Sequence, residues 1–346
     1  MLKETMGTTE LTRNQSRARP ASRRSKAPVF VIGCGRSGTT LLYHMILSAG
    51  NFAVYRTESN VINLLEPRFG DLSRPTAKRK LLEAWYNSRL YTLSGLDRQE
   101  IGKKVMADVK NGGDFLRAIM GEMARQQGVE RWAECTPEHI LHLHRIKETI
   151  PDALIIHIIR DGRDNALSTD KQGYIHPLPW DKKPSVLSAG LYWEWMVNTG
   201  RRDGKDLGDD YTEVRFEDLV AKPQETLARL GQFIEHDLDY DRIQSIGIGS
   251  VSEPNTSFAS SGKEFSPVGR WKTGYPAETL STMEALIGDT LEQLGYQLAS
   301  SNRELRNRSD ITRMRSVYRR YFDTKLFLKA KTPLGRLMVT RDLSWI

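Results

Sequence analysis

The stretch VFVIGCGRSGTTLL (residues 29–42) decides the fold of this 346-residue chain. Its four leading apolar residues indicate a strand buried on both faces, as in the centre of a parallel sheet. A glycine-rich turn follows, and an amphipathic run from Thr39 predicts a helix. Gly33 and Gly38 have the spacing of a phosphate-binding P-loop, but Thr39 occupies the position of the P-loop lysine. The stretch therefore predicts a strand, an anion-binding turn and a helix.

A second strand–turn–helix unit lies in the middle of the chain. The segment ALIIHII (153–159) has the pattern of a central parallel strand, and RDGRDNALS (160–168) follows at its carboxyl end. Weaker strands are predicted at 52–55, 131–134 and 212–216, and amphipathic helices at 223–234 and 277–294. Thr136 is expected to cap a further helix that begins at Pro137. This alternation predicts an α/β protein with a P-loop NTPase-like three-layer fold, in which helices flank a central, mostly parallel sheet.

Charge is unevenly distributed along the chain, whose formal net charge is +8. Residues 1–27 and 303–346 are strongly basic, so the residues between them are acidic on balance. We therefore expect a disordered basic leader (1–27), one α/β domain (28–300) and a basic amphipathic C-terminal extension (301–346). Because the basic residues lie at the two ends, the composition argues against nucleic-acid binding by the central domain.

The rest of the composition bears on location and metal binding. No apolar run approaches the roughly 20 residues that a membrane-spanning helix needs, and the N-terminal residues lack the apolar centre of a signal peptide. The two cysteines, Cys34 and Cys135, have no metal-ligand spacing and cannot form a disulfide framework. We expect a cytoplasmic protein without a metal site.

The glycine-rich turn has the chemistry of an anion site. Amides from Gly35 to Thr40 are expected to point at the anion, and the positive end of the following helix adds to the attraction. The P-loop lysine is absent, and the strand at 153–159 ends in Arg160 rather than in a magnesium-binding carboxylate. The pattern disfavours a metal-dependent kinase or NTPase. It favours a shorter anion, held by arginine and hydroxyl groups without a metal.

Taken together, these segments resemble the sulfotransferases that use 3′-phosphoadenosine 5′-phosphosulfate (PAPS). GCGRSGTTLL is similar to the family's 5′-phosphosulfate loop, IIRDGRDNALS to its 3′-phosphate motif, and GRWKTGY (269–275) to the late loop that closes over the cofactor. The similarity makes 28–300 a sulfotransferase domain and is closest to the branch with tyrosylprotein, carbohydrate and bacterial members. The cofactor-binding residues that the resemblance implies are Gly35, Arg36, Ser37, Gly38, Thr39, Thr40, Arg160, Ser168, Arg270, Trp271 and Lys272.

The resemblance also implies a reaction and roles in it. PAPS supplies a sulfuryl group to an acceptor hydroxyl or amine by in-line attack, 3′-phosphoadenosine 5′-phosphate (PAP) is released, and no metal takes part. Arg36 stabilises the charge of the leaving phosphate, and Glu58 lies where related enzymes have the glutamate that deprotonates the acceptor. Glu134 and His139 are alternative bases. Relatives commonly have lysine where this chain has Cys135, so another cation compensates, the acceptor differs, or activity is reduced.

The sequence leaves three functions open. A PAPS-dependent sulfotransferase is the main hypothesis, a metal-dependent P-loop kinase or NTPase is the second, and a non-catalytic protein that binds PAP or another nucleotide is the third. The expected acceptor is a small molecule, a carbohydrate or a peptide. The extension at 301–346 mixes basic and apolar residues at near-helical spacing, which suits packing on the domain, an oligomer contact or a peripheral membrane contact.

Overall fold

A five-stranded parallel sheet forms the centre of the computed structural model, which describes residues 23–246, 266–300 and 303–338. Its strands are β1 (Val29–Ile32), β2 (Phe52–Ala53), β3 (Arg131–Glu134), β4 (Leu154–Ile159) and β5 (Tyr211–Arg215). Their order across the sheet is β2-β3-β1-β4-β5, and every neighbouring pair is parallel. The predicted α/β class and parallel sheet are confirmed.

The α-helices surround this sheet. Those in the described ranges are α1 (Arg23–Lys26), α2 (Thr39–Ser48), α3 (Glu66–Phe69), α4 (Pro75–Tyr86), α5 (Arg89–Ser94), α6 (Arg98–Asp108), α7 (Gly112–Gln126), α8 (Leu143–Thr149), α9 (Gly162–Lys171), α10 (Ser185–Lys205), α11 (Phe216–Ala221), α12 (Pro223–Ile234), α13 (Tyr240–Ile246), α14 (Trp271–Gly274), α15 (Ala277–Gln293), α16 (Arg303–Asn307), α17 (Ser309–Lys331) and α18 (Gly335–Met338). A π-helical segment (Val61–Leu65) and two 3₁₀ segments (Pro137–His142 and Gly208–Asp210) complete the described elements.

Side chains of the central strands divide between two apolar cores, one on each face of the sheet. Phe30 and Ile32 of β1 belong to one core, whereas Val29 and Val31 belong to the other. This alternation follows from the two-residue period of a strand. Because both faces of β1 are covered by helices, all four of its positions have to be apolar, and this explains the uninterrupted run in the sequence.

The register of the sheet brings the turn after β1 close to the end of β4. Ile32 lies opposite His157, so β4 extends slightly past β1. A Cβ atom added at Gly33 would lie 2.3 Å from the carbonyl oxygen of Ile158. Only glycine allows the two strand ends to approach this closely. The turns that follow β1 and β4 are therefore held side by side.

Two predicted elements differ from those observed. The strand predicted at 52–55 ends at Ala53, because the side-chain amide of Gln127 bonds the N–H (2.7 Å) and the carbonyl (3.2 Å) of Val54 in place of a strand partner. The helix that Thr136 was expected to cap begins instead as a 3₁₀ segment. The Thr136 hydroxyl does not cap it, since it accepts from the N–H of Asn60 (3.0 Å) and donates to Glu134.

Both ends of the described chain pack against the α/β body. Residues 1–22 of the predicted leader lie outside the described residues, but its last residues form α1, and Arg24 donates to the carbonyl oxygen of Phe233 at 3.0 Å. In the C-terminal extension, Phe322 of α17 packs on Tyr192 and Trp195 of α10, with ring centroids 5.3 and 5.2 Å apart. Every helix in the described ranges is too short or too polar to serve as a transmembrane span.

Candidate active site

The turn between β1 and α2 is built for close backbone approach. Gly38 has φ of 95°, and a Cβ atom there would lie 2.3 Å from the ring of Phe216. Arg36 also has a positive φ, 69°, which is uncommon for a residue with a side chain. The N–H of Ser37 closes the turn on the carbonyl of Cys34 at 3.1 Å. The turn is thus held in one conformation that directs its later amides outward.

These amides form the start of α2 and have the arrangement of an anion cradle. Within the described ranges, no acceptor bonds the N–H groups of Gly38, Thr39 and Thr40. The first N–H groups of a helix have no partner inside the helix, and the helix dipole makes that end attractive to negative charge. The predicted position of the anion-binding loop is therefore matched by free backbone donors.

The turn after β1 is joined directly to α9, the helix that follows β4. The Nε of Arg36 donates to the hydroxyl of Ser168 at 3.0 Å. Asn165, one turn earlier on α9, donates to the carbonyl of Gly35 at 2.8 Å and to the hydroxyl of Ser37 at 3.0 Å. The two predicted anion-binding motifs thus meet in one site. Asn165 was not predicted, although its i, i+3 spacing from Ser168 places both residues on one helix face.

Arg160 is a buried cation at the centre of this junction, with 7% of its surface exposed. Its guanidinium donates to the backbone carbonyls of Arg36 (3.0 Å) and Pro267, and it stacks over the ring of Phe216 at 4.9 Å. Its Nε is buried and has no hydrogen-bond partner among the described residues. Burial lowers the pKa of Arg160, the charges of Asp164 and Glu217 partly oppose that effect, and the charges of Arg270 and Arg36 add to it. Each of these features indicates positive charge that is only partly compensated.

The predicted late loop lies against α9. Asp164 accepts hydrogen bonds from the N–H of Gly269 at 2.7 Å and of Trp271 at 2.8 Å. The ring of Trp271 covers the guanidinium of Arg163, which lies 3.6 Å from the ring centroid. Lys272 is exposed. This arrangement brings the segment that contains Arg270, Trp271 and Lys272 to the same helix that carries Ser168.

Of the three candidate bases, Glu58 is exposed and the other two are enclosed. The carboxylate of Glu134 accepts from Ser59 (Oγ, 2.7 Å), Thr136 (N–H, 3.0 Å) and His139 (Nδ1, 2.8 Å). Burial opposes its ionisation, but His139, Thr136 and Ser59 outweigh burial and lower its pKa to about 2. The Nε2 of His139 accepts from the N–H of Ile62 at 3.3 Å. Both enclosed groups are therefore occupied by structural hydrogen bonds.

Cys135, at the position where the family resemblance predicts a lysine, is buried. Cys135 is 5% exposed and belongs to an apolar core. Burial raises the pKa of its thiol, and the charges of Glu134 and Glu58 add to that effect, so the thiol is neutral. Cys135 therefore supplies no positive charge to the site. Glu58 directly precedes Ser59, whose hydroxyl donates to Glu134 at the carboxyl end of β3.

No group of three or more His, Cys, Asp or Glu side chains is arranged to hold a metal ion in the parts of the chain that the structure describes. Both cysteines are free thiols. The titratable groups near the turn after β1 are instead arginines and the carboxylates that hold neighbouring backbone. The site thus offers cationic and amide donors to a ligand.

Comparisons with known proteins identify a family and a shared fold. A family model described as "Sulfotransferase family" matches residues 28–240. A search of curated proteins finds no match. Among solved structures, a sulfotransferase domain of the Synechococcus PCC 7002 olefin synthase is 20% identical, with a TM-score of 0.50, and the match covers 78% of this chain and 95% of that one. This likeness shows a shared fold.

Two further solved structures are similar over most of their length. A sulfotransferase domain from the curacin biosynthetic pathway is 16% identical, with a TM-score of 0.48, over 79% of this chain and 98% of that domain. A mouse sulfotransferase complexed with PAP is 16% identical, with a TM-score of 0.41, over 85% of this chain and 89% of that protein.

Proposed function

This chain belongs to the sulfotransferase family, and we propose that it transfers a sulfuryl group from PAPS to an acceptor hydroxyl or amine and releases PAP. The observation that carries the proposal is the junction of two strand ends. There, Arg36 bonds Ser168, and Arg160 bonds the carbonyl of Arg36. In the described part of the chain, no carboxylate lies within ion-pair distance of either guanidinium. Two adjacent cations that no carboxylate pairs with directly favour an anionic ligand.

The residues at this junction fit a ligand with two phosphate positions. The free amides of Gly38 to Thr40, together with Arg36, suit the 5′-phosphosulfate. Arg160, whose buried Nε has no partner, and Ser168 suit the 3′-phosphate. The carboxyl ends of parallel strands are where α/β sheets bind their ligands, and both groups lie there. When bound, PAPS supplies an activated sulfuryl group whose leaving group is the 5′-phosphate.

The proposed mechanism is an in-line displacement in which residues of the chain have two roles. Glu58 takes the proton of the acceptor as the acceptor atom bonds to sulfur and the bond from sulfur to the phosphate oxygen breaks. Arg36 and the amides of the turn stabilise the negative charge that develops on that oxygen. Because these donors are fixed before the ligand arrives, little reorganisation is needed during the reaction. No residue in this scheme requires a metal.

Cys135 supports a second candidate, a protein that binds PAP without turnover. A neutral buried thiol cannot replace the cation that relatives have at this position. In the catalytic proposal, Arg36 and the cations of the late loop compensate for that loss. The metal-dependent kinase is disfavoured, because the chain belongs to another family and lacks the lysine. We place the reaction in the cytoplasm, with a small molecule, a carbohydrate or a peptide as acceptor.

Calorimetric titration with PAP in the presence of EDTA tests the donor assignment. We expect saturable binding without a metal, and no comparable binding of ATP under the same conditions. Transfer of radiolabelled sulfate from PAPS to a panel of phenols, sugars, amines and tyrosyl peptides then separates an enzyme from a binding protein. Binding of ATP that requires magnesium, without binding of PAP, would overturn the proposal.

Replacement of Arg160 by alanine should weaken PAP binding by about 10- to 150-fold, because a charge-assisted contact contributes about 1.5–3 kcal/mol. The measurement is the same titration. Arg229→Ala is the control, since Arg229 is exposed and donates to the carbonyl of Glu213 away from the junction. Equal PAP affinity of the Arg160 variant and the Arg229 variant would contradict the assignment of Arg160 to the phosphate site.

A further inference from the structure

Asp164 makes contacts that the proposed mechanism does not use. It is buried on α9, and its two carboxylate oxygens accept from two amides of the late loop: Oδ2 from Gly269 and Oδ1 from Trp271. The partners are more than a hundred residues away in the chain. Gly269 has φ of 75°, a left-handed conformation in which its own N–H and that of Trp271 both reach the carboxylate of Asp164. A single carboxylate therefore fixes both sides of Arg270.

The surroundings of Asp164 exclude a simple charge-neutralising role. In the described ranges, no cationic side chain lies within ion-pair distance of its carboxylate, although its charge acts on Arg160 and Arg270. Its oxygens are directed at backbone N–H groups, which carry no net charge. Hydrogen bonds from amides to a carboxylate are charge-assisted and stronger than bonds between neutral groups. The interaction therefore serves to hold the loop.

The neighbouring residue, Arg163, also contacts the late loop. Arg163 is 1% exposed, bonds both carboxylate oxygens of Asp161 and donates to Glu284 at 2.6 Å. Because these carboxylates fix its guanidinium, Arg163 is a rigid surface for the ring of Trp271. The hydroxyl of Tyr275 also donates to the carbonyl of Arg163 at 2.8 Å. The loop from 269 to 275 is thus attached to α9 through Gly269, Trp271 and Tyr275.

We propose that Asp164 is a positioning residue that latches the late loop onto α9 and thereby presents Arg270 to the donor nucleotide beside Arg160. The inference rests on the proposed function for the identity of the ligand. The latch itself rests on the two amide bonds. Ser168, on the same helix, already joins α9 to the turn after β1. With the latch, α9 fixes the relative positions of all three proposed cofactor-binding segments: the turn after β1, its own first turns and the late loop. Loss of the latch frees the loop without removing any ligand-contacting side chain.

The test compares Asp164→Ala with Asp170→Ala. Asp170 also lies on α9 and also accepts a side-chain hydrogen bond, from Ser185, but in the described ranges no hydrogen bond joins it to the loop. For Asp164→Ala we expect PAP affinity to fall about tenfold and the KM for PAPS to rise by a similar factor, with a smaller change in kcat. Asp164→Asn should be intermediate, because an amide oxygen accepts from one loop N–H while its NH₂ group faces the other.

Limited trypsin digestion gives a readout that does not depend on the ligand. Cleavage after Arg270 and Lys272, identified by mass spectrometry, should be faster in Asp164→Ala than in the wild type and in Asp170→Ala, with thermal unfolding measured for each. Unchanged cleavage and unchanged PAP affinity in Asp164→Ala would overturn the latch. So would a loss of PAP affinity and of protease resistance that is fully explained by a lower melting temperature of the variant. If the wild type does not bind PAP, the donor assignment fails, while faster cleavage would still establish the latch.

Discussion

Glu58→Gln should lower the rate of sulfuryl transfer by about 10²- to 10⁴-fold while leaving PAP affinity within about twofold, because a positioned general base contributes that range. Glutamine has nearly the same shape but cannot take up the acceptor proton. The measurement is transfer of radiolabelled sulfate from PAPS to an acceptor found by screening, with PAP titration in parallel. Loss of turnover with retained binding separates a catalytic role from a folding defect.

Exposure argues for Glu58 over the two alternative bases. Glu134 is 3% exposed and His139 is fully buried, and their polar atoms are engaged with protein groups. A base must reach the proton that it removes, so neither group can act without losing the hydrogen bonds that hold it. Glu58 is exposed and directly precedes Ser59, which bonds Glu134 at the carboxyl end of β3, the strand beside β1.

Glu83→Gln is a matched control for this experiment. Glu83 is an exposed glutamate on α4, away from the strand ends, and the same loss of charge there should leave transfer unchanged. Full activity of Glu58→Gln would contradict the assignment of the base. A parallel loss of PAP affinity and activity would instead indicate that Glu58 acts by positioning the nucleotide-binding turn.

The central strands and the turn could be predicted because their signals are local. Four apolar residues in β1 and five in β4 mark strands buried on both faces, and the glycine spacing marks the turn. The meeting of Arg36 with Ser168 could be expected from the rule that parallel strands direct their carboxyl ends to one edge. These inferences need only the sequence near each strand.

The contacts of Asp164 and Glu134 could not be predicted, because they depend on partners distant in sequence. RDGRD gives no indication that its second aspartate bonds amides of a loop beyond residue 266, while Arg163 pairs with Asp161. A run of alternating charges is usually a solvated surface, yet here it is buried. Likewise, Glu134 has the sequence pattern of an ordinary strand residue. Its role depends on the segment at 59–60, which packs against the end of β3 only in the folded chain.

Glu134→Ala should destabilise the protein by about 3–5 kcal/mol, the cost of removing one partner of a buried charged network. Ser59, Thr136 and His139 would lose their common acceptor. Glu130→Ala is the control, since Glu130 precedes the same strand but is exposed and forms only a surface ion pair, worth under about 1 kcal/mol. Urea unfolding at pH 7 measures the free energy of unfolding of each variant. Similar losses of stability in Glu134→Ala and Glu130→Ala, relative to the wild type, would contradict the prediction.

The same carboxylate predicts how stability depends on pH. Its folded pKa of about 2 lies below its ordinary value of 4.5, so the stabilisation is complete above pH 4.5 and is lost as the pH falls toward 2. The full difference corresponds to about 3 kcal/mol. Urea unfolding between pH 7 and pH 3 should therefore show a steeper loss for the wild type than for Glu134→Ala. Parallel curves would show that another carboxylate controls acid stability.

The Glu134 network also bears on catalysis, because it fixes the chain next to the proposed base. Ser59 donates to Glu134, and Asn60 donates to Thr136 through its backbone N–H, while Asn60 has the positive φ of 52°. The residue before this anchor is Glu58. Under conditions where Glu134→Ala remains folded, we therefore expect lower transfer activity with PAP affinity retained. Loss of both in equal measure would show that the network supports the nucleotide site instead.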